Sequence, residues 1–185
     1  MALNKNDPLY KNLAASPLRN AVLRLKDSNQ KIIAEMALER EQARLRVEAL
    51  HSGRRTIMVT TDLSAGFGSY AGPTTELLEV IEDRLEPVVA QDTESGSREP
   101  ILLVSTLKTS WKLVPAAGGR SDQKDILEVA CRPNLDAKNT DDFLVTYMRF
   151  HWNGEGWSVL TRKVHEFWED EGPFPAQQLF PSATK

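Results

Sequence analysis

The chain changes its pattern near residue 52. After Pro17 no glycine or proline appears until Gly53, and apolar residues in between recur in steps of three or four. Beyond Gly53 the apolar residues alternate in short runs, divided by Gly, Pro, Asn and Asp. Steps of three and four trace one face of a helix; alternation traces one face of a strand. The sequence therefore predicts an α+β protein. A long N-terminal helix of coiled-coil character leads into a compact domain, in which an antiparallel β-sheet packs on one helix. Residues 1–52 form the helical segment, 53–171 the sheet domain and 172–185 a Pro-rich tail.

Ser16-Pro17 suits a helix start, because serine accepts from first-turn amides and proline at the first helical position loses no bond. Gly53 suits its end, with Arg54 and Arg55 favourable at the negative terminus. Val22, Leu25, Asn29, Ile32 or Ile33, Met36, Ala43, Val47 and Leu50 then read as a seam close to a heptad repeat. So thin a stripe needs a partner, either another chain or this chain's own sheet. Asn29 inside the seam either fixes register in an oligomer or lies at the stripe's edge. A third reading sets Arg40, Arg44, Arg54 and Arg55 on phosphates, but Glu35, Glu39, Glu41 and Glu48 among them would repel a nucleic acid.

The net charge is −3, which gives no general drive toward nucleic acid or an anionic membrane. Its distribution is uneven. Arg19–Arg55 holds nine Lys/Arg against five Asp/Glu, a surplus of +4, whereas Thr74–Pro100 holds two Arg against eight Asp/Glu, a deficit of −6. The two stretches either attract one another or form two solvated faces. The single cysteine, Cys131, alternates with Leu127 and Val129 and reads as a buried structural thiol. One cysteine forms no internal disulfide, which points to a reducing compartment. The N-terminus has no secretory pattern and no apolar run is long enough to span a bilayer. The expected setting is soluble and intracellular, in cytoplasm or nucleus, with no membrane contact.

Downstream, Thr56–Thr61 reads as a short strand and Thr74–Leu85 as a helix, with Leu77, Leu78, Val80, Ile81 and Leu85 on its apolar face. The glycines between them, Gly66, Gly68 and Gly72, match neither dinucleotide nor Walker spacing. Phe67 and Tyr70 in that loop are candidate partner contacts. Ile101–Val114 alternates with Ile101, Leu103, Leu107, Trp111 and Leu113 on one side, and Asp125–Arg132 forms the next strand. The strongest local signal is a hairpin, Phe143–Trp152 and Trp157–Trp168 around Asn153-Gly-Glu-Gly. A four-residue loop pairs Trp152 with Trp157, Phe150 with Val159, Met148 with Thr161 and Leu144 with His165. In the tail, Phe174, Leu179 and Phe180 can strap into a groove.

No catalytic or cofactor-binding residue is assigned, and Cys/His metal spacing is absent from the sequence. The hairpin register sets His151 and His165 on opposite faces, and His51 lies far away. The order helix, short strand, helix and antiparallel strands, ending in the Phe143–Trp168 hairpin, resembles the nuclear transport factor 2-like cone fold over about Arg55–Trp168. That resemblance implies a pocket between sheet and helix, and frequent dimerisation. Two functions follow. The first is a non-catalytic interaction or assembly subunit that oligomerises through the N-terminal helix and docks partners through the sheet domain. The second is a small-ligand-binding protein or enzyme with a cone pocket.

Overall fold

The computed structural model describes residues 22–38, 43–51, 54–62, 72–106, 109–116, 123–133 and 143–165. Among these the chain is all-β, with no helix. A two-stranded hairpin pairs β1 (Val22–Lys26) with β2 (Ile32–Ala37). A five-stranded sheet runs β3 (Ala43–His51), β4 (Arg54–Asp62), β5 (Pro73–Ile81) and β6 (Arg84–Pro87), with β9 (Leu102–Val104) also on β5. A six-stranded sheet runs β10 (Thr109–Pro115), β11 (Lys124–Pro133), β12 (Phe143–Trp152), β13 (Trp157–His165), β7 (Val89–Asp92) and β8 (Arg98–Pro100). Every pairing is antiparallel except β13 with β7.

The long helix is overturned first. Its span holds β1, β2 and β3. The reversal lies at Asp27–Gln30, where the Asp27 carboxylate accepts from the amides of Asn29 and Lys31 at 2.8 and 2.9 Å. Gln30 takes positive φ, 66°. Asp-Ser-Asn is turn chemistry, so Asn29 marks a hairpin tip and no coiled-coil register. Leu23 and Leu25 face inward by alternation, as do Ala34, Met36 and Leu38. The same residues satisfy a helical step, and strand pairing decides between the two periods.

The helix at 74–85 is also corrected. It is β5, a turn and β6, with Glu82 and Asp83 both at positive φ, 48° and 62°. That is the turn whose twist suits a two-residue hairpin. Adjacent leucines mislead here because this sheet is covered on both faces. Leu77 enters the core between the two large sheets and Leu78 the core beneath the β1–β2 hairpin. Without a helix to lean on the sheet, the cone-fold resemblance falls as well.

The main core is a sandwich. Leu50, Met58, Leu77 and Leu103 from the five-stranded sheet meet Ala90, Ile126, Phe150 and Trp157 from the six-stranded one. The chain changes sheets at Val88 and returns at Ile101, two buried corners joined by an Ile101 N–H to Val88 carbonyl bond of 2.8 Å. Gly72 is required where the chain enters β5. A Cβ there would overlap the Ser105 carbonyl oxygen, beside the Ser105 N–H bond to the Pro73 carbonyl (2.8 Å).

The β12–β13 register is as the sequence predicts, with Trp152 opposite Trp157, Phe150 opposite Val159, Met148 opposite Thr161 and Leu144 opposite His165. The Asn153 side chain accepts from the amides of Glu155 and Gly156, both at 3.0 Å. The Ile101–Val114 run divides between sheets as β9 and β10.

Candidate functional site

At one end of the sandwich a register shift in β3, between Glu48 and His51, swings His51 inward. Its Nε2 lies 2.8 Å from Glu79 Oε1, and the Thr56 hydroxyl donates to that oxygen at 3.1 Å. The imidazole stacks on Trp152, with Trp157 edge-on. A buried imidazole needs a polar partner, and Glu79 supplies it. The second carboxylate oxygen, Oε2, has no hydrogen bond among the described residues. Arg54 Nη1 lies 3.8 Å from it, beyond hydrogen-bond range. Arg54, Arg55, Glu79, Val80, Ile81 and Glu82 line an open groove of about 490 Å³ here.

A second polar cluster is carried by the six-stranded sheet. Asp125, with its side chain 1% exposed, accepts from Arg149 Nε and Nη2 at 2.7 and 2.6 Å through Oδ2. His151 Nδ1 lies 2.8 Å from Oδ1. The carboxylate only accepts, so Nδ1 carries the proton. Ser158 stands opposite His151 in the ladder. Asp, His and Ser thus share one row across three strands. The serine hydroxyl, however, donates to the His151 carbonyl at 3.2 Å. The row is a structural network without the nucleophile-to-imidazole bond of a catalytic triad.

The two sheets are also joined by Glu48 of β3 and Lys124 of β11, 2.7 Å apart. The Lys124 ammonium, aided by Arg46, holds the Glu48 carboxyl below the usual glutamate range. In the turn after β7, the amide and hydroxyl of Ser95 and the amide of Glu94 do the same for Asp92.

The residues expected to form one oligomer seam are dispersed. Val22 and Ile32 are exposed on the hairpin, Leu25 and Ile33 are half-buried and Asn29 sits in the turn. Met36 and Ala43 pack on the core under the hairpin, and Leu50 is sealed in the main core. Val47 remains outside, 55% exposed, beside Leu45 at the same value. Their strand, β3, ends its sheet and pairs only with β4 among the described residues. Phe67, Tyr70, Phe174, Leu179 and Phe180 lie outside the described residues. Cys131 is buried. No group of three or more His, Cys, Asp or Glu among the described residues is placed to hold a metal ion. Nor is any described helix long and apolar enough to cross a membrane.

The His51–Glu79 and Asp125–His151 pairs escaped the sequence reading. Each joins residues more than 25 positions apart, and nothing local marks them. Extending the hairpin register onto β11 was the one available route to Asp125. Comparison with protein-family models, curated proteins and solved structures finds no match for the chain.

Proposed function

We propose that this chain is a non-catalytic assembly subunit that associates through the edge strand β3, first with a second copy of itself. The observation that carries the reading is the exposure of Leu45 and Val47, each 55%, on a strand ending its sheet. Arginines on an edge discourage indiscriminate pairing, and Arg44 and Arg46 alternate with these apolar residues. A two-fold antiparallel pairing centred on Val47 removes the conflict. It sets Arg46 against Glu48 of the second copy, Val47 against Val47 and Leu45 against Ala49. Centring on Arg46 opposes that arginine to itself, and centring on Leu45 opposes Arg44 to Arg46. Isologous pairing of this kind extends the sheet across the dimer axis. Docking of a further partner on the sheet domain is part of the same proposal. The free thiol of Cys131 supports a reducing setting inside the cell.

Light scattering tests the reading. The full chain is expected to be a dimer at micromolar concentration, and Val47→Lys, which sets two like charges at the axis, a monomer with unchanged circular dichroism. A monomeric wild-type chain ends the proposal.

A further inference from the structure

The groove at Glu79 carries a separate inference, independent of pairing through β3. Glu79 is anchored from behind. His51 and Thr56 occupy Oε1, at 2.8 and 3.1 Å, and the side chain is 8% exposed. Oε2 accepts no hydrogen bond among the described residues and meets only the Arg54 charge, at 3.8 Å. A buried carboxylate oxygen in this position favours an N–H cation. Arg54 and Arg55 line the same groove, and the Arg54 guanidinium, its side chain 58% exposed, stands 3.8 Å from Oε2. Among the described residues of the lining, two arginines stand against Glu79 and Glu82. A simple amine would meet the arginines, and a simple carboxylate would meet Glu79. A ligand bearing both charges on groups attached to one carbon satisfies both.

The remaining lining, Val80 and Ile81, is apolar and partly exposed. The volume of about 490 Å³ falls within the range of small-molecule sites. We propose that the groove binds an apolar α-amino acid as its zwitterion. The ammonium donates to Glu79 Oε2, the carboxylate accepts from Arg54, and the side chain lies along Ile81, which alternation sets on the same face of β5 as Glu79. In a peptide the two charges sit at opposite ends, so the free amino acid is the matching form.

The test is a titration of the amide-labelled full chain with L-leucine, followed by NMR, beside N-acetyl-leucine and leucine amide. Saturable shifts at Arg54, Arg55 and Val80–Glu82 are expected with leucine, and affinity at least about tenfold lower for each singly charged analogue, the factor expected from about 1.4 kcal/mol of lost pairing. Arg54→Gln, on an exposed side chain, is expected to weaken leucine binding by a similar factor with no change in melting temperature. Glu79→Gln should weaken it too, and its spectrum reports whether the His51 anchor survives. Equal affinity for all three compounds, or no saturable shift with leucine, overturns the proposal.

Discussion

The imidazole of His51 lies flat on the indole of Trp152, with ring centroids 3.9 Å apart and planes 15° from parallel. One residue belongs to β3 and the other to β12, so the stack ties the two large sheets together at the end where Glu79 holds the imidazole at Nε2. Trp157 closes the cluster edge-on to both rings.

Trp152→Ala removes that tie and part of the main core. Large-to-small aromatic substitutions in a core cost about 3–5 kcal/mol. Trp152 is half-buried, so the lower end of that range is expected. Urea unfolding monitored by far-ultraviolet circular dichroism checks it, and a loss under about 1 kcal/mol would show that the stack contributes little beyond exposed contact.

Asp125→Ala leaves the Arg149 guanidinium without the carboxylate it bonds in the sheet. Breaking a buried ion pair on one side costs about 3–5 kcal/mol, and with the Arg149 side chain 22% exposed the lower end is expected. Asp125→Asn retains an acceptor for His151 and should cost less. A lower urea midpoint for Asp125→Ala than for Asp125→Asn is expected, and equal midpoints would show that the acceptor to His151 contributes nothing to stability.

The Glu48–Lys124 bridge gives a pH dependence. Glu48 titrates below its ordinary value of about 4.3 because of Lys124 first and Arg46 after it. The folded state then binds fewer protons than the unfolded chain. Its contribution is fully present above the unfolded value and fades as pH falls through the depressed folded value. Glu48→Gln should therefore lower the melting temperature at neutral pH, and the gap to wild type should narrow below about pH 4. A gap that stays constant with pH would assign the loss to packing.

Gly72→Ala places a methyl group into the Ser105 carbonyl oxygen. Overpacking of this kind costs about 1–3 kcal/mol. Hydrogen exchange should show the loss concentrated at β9 and the start of β5, where Ser105 and Pro73 are bonded. Protection spread evenly over both sheets would count against a local clash.

The β12–β13 hairpin is legible in the sequence down to its register. Its turn chemistry is local, since Asn153 caps its own loop, and alternating side chains leave one pairing that keeps both faces in place. The sequence also held the burial of Cys131 within an alternating run. Strand pairing settles residues 22–38, 43–51 and 73–87 as β-structure. Their apolar residues fit a helical step and a strand alternation equally, and propensity is weaker than the hydrogen-bonded neighbours that claim them: β1 and β2 claim each other, β4 claims β3, and β6 and β9 claim β5. Tertiary structure alone also brought Glu79 to His51 and Asp125 to His151. Both pairs exist because separate strands cross at one place, and a carboxylate and an imidazole far apart in sequence carry no local mark of meeting.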